Sequence, residues 1–247
     1  MMEYAADAIS RVAMVTAPRV SDWFARGYRQ EIIDLARYAN RYSLTMWGLL
    51  ASYLFIYGGN LCRIWINQEF GDWAAVLLPL FLVGYTFWMS QFVSAAVLMG
   101  IARYTAFSIT LFCESLVSIA CMAVILPRYG LAAAVAAIAA VMVISRCLIL
   151  SRLFAREFGL SQAAFLWSIF RRPMVLIGVS IGALWLCREF IAPGRTWFQL
   201  ISTGVLFALV YAMLAFRFVL DPAHRNFVVT KGRVWWNRFR TRSAAGA

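Results

Sequence analysis

The sequence predicts an all-α, polytopic transmembrane helix bundle, and three observations carry that prediction. Of 247 residues, 63% are hydrophobic and 14% charged, against roughly 45–50% apolar content in a soluble domain, and mean hydropathy is +0.75. The apolar residues gather into runs of about 20, the length that crosses a hydrocarbon core about 30 Å thick. Arginines alternate between the loops that join these runs, as the positive-inside rule requires. Helices follow, because lone strands in lipid leave backbone groups unpaired and the runs are too long and too uniformly apolar for barrel strands.

Residues 1–20, "MMEYAADAISRVAMVTAPRV", read as a partial transmembrane helix that begins abruptly at its first turn. Glu3, Asp7 and Arg11 recur at i, i+4 and i+8, with Ser10 near the same line, so they form one polar stripe that must face protein or a water-filled cavity. The stretch has no basic n-region and is not a signal peptide. Residues 21–43 place Phe24, Tyr28, Ile32 and Leu35 at helical spacing, with Arg26, Arg29, Glu31, Asp34 and Arg37 on other faces. That pattern predicts an amphipathic helix in the cytoplasmic interface, or a soluble loop helix.

Six full spans are expected at residues 44–66, 73–99, 104–126, 130–150, 174–192 and 197–220. Residues 44–150 form a four-helix unit and 174–220 an additional hairpin. Pro79 is expected to kink the second span. Between the two units, residues 151–173 read as a second interfacial segment, with Pro173 opening the next span as an N-terminal helix residue. Residues 221–247 form a basic tail in which "RVWWNRFRTR" either lies on anionic headgroups through Trp235, Trp236, Phe239 and its cations, or is solvated.

The net charge of +12 raises the question of nucleic acid, but its distribution excludes that class. Arg19, Arg26, Arg29, Arg37 and Arg41 precede the first full span. Arg103 follows the second, Arg152, Arg156, Arg171 and Arg172 follow the fourth, and Arg225, Lys231, Arg233, Arg238, Arg240 and Arg242 follow the sixth. The opposite loops hold only Arg63, Arg128, and Arg188 with Arg195. The first set is therefore assigned to the cytoplasm, and with it the C-terminus. No cofactor, metal site or enzyme is expected. Cys62, Cys113, Cys121, Cys147 and Cys187 have no C-x-x-C pair, the one histidine, His224, lies in the tail, and no nucleophile-and-base set is legible.

Three stretches in order resemble a known family: "YAADAISRVAMVTAPRVSDWFARGYRQEI", "LMGIARYTAF" and "ESLVSIACMAVILPRYGLAAAVAA". They are similar to the second lobe of bacterial lipid-linked oligosaccharide flippases, in the multidrug/oligosaccharidyl-lipid/polysaccharide flippase superfamily, over residues 1 to about 150. The resemblance implies the C-terminal part of a transporter that moves polyprenyl-pyrophosphate-linked oligosaccharide across the bacterial inner membrane by alternating access. On that reading the chain does not transport alone and its partners are membrane lipid, the oligosaccharide carrier and a missing N-terminal lobe. It also implies Arg11 as a pyrophosphate-attracting cation, with Asp7 and Glu3 holding it or coupling to protons; a helix-end anchor is the other reading of Arg11. Relatives often carry asparagine just after the glutamate of the third span, where this chain has Ser115 and Ser118. The competing class is a membrane scaffold or assembly subunit that moves nothing.

That glutamate, Glu114, is the most informative residue. A carboxylate at mid-membrane costs about 2.5–3.5 kcal/mol on insertion scales, while each Leu, Ile, Phe or Val returns about 0.3–0.6, so the span still inserts. Thr110, Ser118 and Cys121 share its face, which should turn toward protein or water. If the third and fourth spans fold back through "PRYG", Arg146 comes within roughly one helical turn of its depth. Three states remain open: an ion pair with Arg146, a proton-titrating cavity carboxylate, or a lone protonated side chain, with Arg146 then reaching for headgroups. Tyr53, Tyr57 and Asn60 on one face of the first span, and Ser90, Gln91 and Ser94 in the second, read more readily as helix-packing hydrogen bonds than as substrate ligands.

Overall fold

A computed structural model describes residues 18–222, 224–226 and 230. The stripe of Glu3, Asp7 and Arg11 and the tail stretch "RVWWNRFRTR" lie outside them. Among the described residues the regular elements are all helical, and the chain is helical from residue 18 to 25 before the first long element. In order these are α1 (Arg29–Trp65), α2 (Gln68–Ser90), α3 (Phe92–Gly100), α4 (Tyr104–Ile144), a π-helical segment (Ser145–Leu150), α5 (Ser151–Phe158), α6 (Gln162–Phe190) and α7 (Trp197–Phe218). Among the described residues, four stretches are long and apolar enough to cross a membrane: Gln68–Gly100, Tyr104–Phe158, Gln162–Phe190 and Trp197–Phe218.

Helix α1 is the central post, packing against α2, α6, α3 and α7. It runs 37 residues without interruption, about 55 Å at 1.5 Å per residue. The expected boundary near residue 44, between an interfacial helix and a first span, is therefore not a structural one. The apolar face set by Ile32, Ile33 and Ala36 continues into Leu44, Trp47 and Ala51, and no glycine or proline lies between Ala36 and Leu44 to stop the helix at the expected boundary. Residues of the two expected interfacial segments, 21–43 and 151–173, meet in the largest buried cluster among the described residues. Val20, Ile32, Leu44, Val97, Leu150, Phe154, Phe158, Phe165 and Ile169 belong to it, and Phe154 stacks on Phe165 at 4.7 Å.

Two further boundaries differ from expectation, each for a local reason. The second span breaks at Gln91 (φ −117°, ψ 8°), whereas Pro79 lies inside α2. The amide groups that open α3 are met from α1: Asn40 Oδ1 accepts from Val93 N at 2.8 Å, and Asn40 Nδ2 donates to Ser94 Oγ at 2.6 Å. Pro173 does not open a helix; it lies within α6. Pro173 removes the helical donor of the Ile169 carbonyl; one residue earlier, the Arg41 guanidinium donates twice to the Ser168 carbonyl, at 3.2 and 3.0 Å.

Helix α4 reverses direction at Gly130. Its φ of 81° with ψ of 177° belongs to a region that only glycine occupies without strain. The two arms fold back on each other, and the alanine-rich second arm buries Ala134, Val135 and Ala139 against α2. The first arm turns Ile109, Phe112, Leu116 and Ile119 outward, as does α7 with Phe198, Leu206 and Met213. Such continuous outward apolar faces exceed what a water-exposed surface carries.

Asp221, just past α7, ties α1 to α6. Its carboxylate takes Arg41 Nη1 at 3.0 Å and Arg172 Nη1 at 2.7 Å. Beside it Tyr42 Oη lies 2.6 Å from His224 Nδ1, and burial pushes the Tyr42 phenol above its ordinary pKa.

Candidate functional site

The hairpin at Gly130 brings two distant residues to one depth. Glu114 and Arg146 each lie sixteen residues from the pivot. Arg146 Nη2 stands 3.2 Å from Glu114 Oε1, and Ser145 Oγ donates to Glu114 Oε2 at 2.5 Å. Each carboxylate oxygen thus has its own donor. The side chains of Arg146 and Glu114 are 4% and 12% exposed, so this is a buried ion pair. A lone glutamate and an arginine reaching outward are not what the structure contains.

Ser145 and Arg146 open the π-helical segment, a widened turn that loosens the α-helical ladder and recurs at functional positions. Its carbonyls are met from α6. Gln162 Nε2 donates to Cys147 O at 2.9 Å and to Leu148 O at 3.1 Å, and Ser151 Oγ also bonds to Cys147 O. The widened turn is therefore held in place by side chains rather than left slack.

A cavity of about 300 Å³ opens onto the ion pair, walled by Tyr85, Trp88, Phe92, Phe107, Leu111 and Met142, with Gln91, Glu114 and Arg146 as its polar members. Gln91 sits at the break between α2 and α3 and is completely buried. Neither its Nε2 nor its Oε1 has a partner among the described residues, and the same holds for Arg146 Nε. An unmet buried polar group costs about 1–3 kcal/mol, so this cavity concentrates unsatisfied hydrogen-bonding capacity around a charge pair. It can hold water, a hydroxyl-bearing ligand or a proton in transit. Among the described residues no group of three His, Cys, Asp or Glu side chains is placed to hold a metal ion.

The other polar marks in the sequence divide. Tyr53, Tyr57 and Asn60 all donate to backbone carbonyls around the α6–α7 connection: Leu200 O at 2.6 Å, Ala192 O at 2.9 Å and Pro193 O at 2.6 Å. Ser94 pairs with Asn40, and Ser90 Oγ bonds to Phe87 O at 2.7 Å. Gln91, by contrast, belongs to the cavity. Sequence reasoning grouped it with packing serines. Ser145 and Asn40 were missed, although an asparagine within the arginine-rich "DLARYANRYS" is a signal for a buried helix contact. Arg11, Asp7 and Glu3 lie outside the described residues, so the structure brings together only Glu114 and Arg146 of the predicted set.

Compared with known proteins, the chain matches no protein-family model, no curated protein and no solved structure.

Proposed function

We propose that the chain works as part of a membrane transporter of the lipid-linked oligosaccharide flippase type, which, together with a partner lobe and not alone, passes a polyprenyl-pyrophosphate-linked oligosaccharide across a bacterial inner membrane by alternating access. The observation that carries this reading is the Glu114–Arg146 pair facing a cavity whose Gln91 amide is buried and unpartnered. Intramembrane ionisable residues mark substrate and proton paths, because insertion alone penalises them. Helix breaks such as the one at Gln91 are tolerated at membrane depth where they line a cavity.

On this reading the finer topology has six full spans. The reversal at Gly130 lets residues 104–158 cross twice, and the second half of α1 supplies a crossing whose tyrosines and glycines face neighbouring helices instead of lipid. The arginine-rich ends then face the cytoplasm, with the C-terminus. Arg11, with Asp7 and Glu3, is assigned to the pyrophosphate.

Glu114→Gln tests the assignment, because it keeps shape and the Ser145 contact while removing the charge. Where the variant replaces the native chain, lipid-linked oligosaccharide should accumulate on the cytoplasmic face even after export is scaled to the amount of inserted protein, because the stranded Arg146 also lowers stability. Undiminished export per inserted molecule would instead point to a scaffold in which the pair serves only to hold helices.

A further inference from the structure

A second and larger cavity lies where α1 meets α2 and α6 meets α7, away from the ion pair. It measures about 830 Å³, and its cations are Arg63, Arg188 and Arg195, with Glu189 the one acid among its lining residues. Like charges are gathered there against their mutual repulsion. Arg63 is partly neutralised by Asp72, at 2.5 Å. Arg188 divides its donors between the Ile56 carbonyl at 3.3 Å and Glu189 at 3.2 Å. The Arg195 guanidinium has no ion-pair partner among the described residues, and Gln199 Oε1 fixes its backbone amide at 3.0 Å.

The loop that carries Arg195 is rigid by construction. Tyr57 and Asn60 bind the carbonyls of Ala192 and Pro193. Gly194 has φ of +71° and is packed so closely that a Cβ would lie 2.8 Å from Tyr57 Cδ1 and 3.0 Å from the Asn60 amide nitrogen. Three contacts from α1 thus fix the backbone that carries one exposed cation. Packing of the hairpin alone does not call for that.

We propose that this cavity binds a phosphate group, with Arg195 as its free cation and Arg188 and Arg63 completing the charge. Guanidinium is the side chain suited to phosphate oxygens, because its planar donors can bind them two at a time. The volume lies in the range of small-molecule sites and exceeds what a bare phosphate fills. Leu54, Phe55, Ile64 and Pro79 supply an apolar wall for whatever the phosphate is attached to. The ligand is therefore a phosphate monoester, borne either by a lipid or by a soluble molecule. This site is independent of the transport reading and shares none of the lining residues of the Glu114 cavity.

Calorimetric titration of the full chain in a neutral maltoside detergent tests it, with dioctanoyl phosphatidic acid, glycerol 3-phosphate and phosphate-free dioctanoylglycerol as probes. Phosphatidic acid should bind and dioctanoylglycerol should not. Arg195→Ala should weaken binding at least tenfold without changing the melting temperature, since the loop is held by backbone groups. Gly194→Ala should also weaken it, with every arginine still present. Comparable affinity for glycerol 3-phosphate assigns the site to soluble phosphate esters, and binding of the lipid alone assigns it to a headgroup. Phosphatidic acid affinity unchanged in Arg195→Ala, or no binding of either phosphate, overturns the proposal.

Discussion

Glu114, Arg146 and Ser145 form a unit in which each member is stabilised by the others. Removing one charge of a buried pair strands its partner, which costs about 3–5 kcal/mol, whereas replacing both with apolar groups is often close to neutral. Arg146→Met should therefore destabilise the bundle by roughly that amount in detergent unfolding, and Glu114→Leu combined with Arg146→Met should recover most of it. A double variant as unstable as the single one would mean that the pair's environment, and not the pair, carries the effect. Glu114 was legible because a carboxylate stands out within "ITLFCESLVSIACMAVIL", and Arg146 followed from counting back across the turn. Gln91 and Ser145 were not legible as cavity members, because uncharged polar residues are common where membrane helices pack and only the fold shows which have lost their partners.

At the level of elements, three irregularities shape the site, and each yields its own expectation. Gly130→Ala should cost about 1–3 kcal/mol from backbone strain alone, since a Cβ there meets nothing within 4 Å. Ala102, between α3 and α4, holds φ of 60°, an uncommon conformation for a residue with a Cβ. Ala102→Gly should stabilise the protein by about 1 kcal/mol, read as a rise in melting temperature. Asn40→Ala exposes the N-terminal amides of α3 and should cost about 1–3 kcal/mol. The "PRYG" turn was readable from its own residues, since proline and glycine punctuate a chain locally. The break at Gln91 and the passage of α6 through Pro173 were not. The first depends on a side chain from α1, Asn40, which lies far away in the sequence.

For the whole molecule, the outward apolar faces of α4 and α7 set the solvent. The chain should stay with the membrane fraction through an alkaline carbonate wash and dissolve only in detergent; recovery in the wash would contradict a lipid-facing bundle. Composition made the helical class legible because lipid imposes so few solutions on a backbone. It did not reveal that the arginine-rich stretches pack into the core, since an amphipathic stripe reads the same whether it lies on headgroups or on other helices. Nor could it show that Arg41 and Arg172, counted only as topological signals, converge on Asp221.

That convergence bears on the order of assembly. Asp221 leaves the ribosome after both arginines and after all of α7, so a nascent bundle carries two guanidiniums without this counter-ion until α7 has been made. Closure of this knot is thus a late event, and a polypeptide cut short before Asp221 would leave that positive charge unmet.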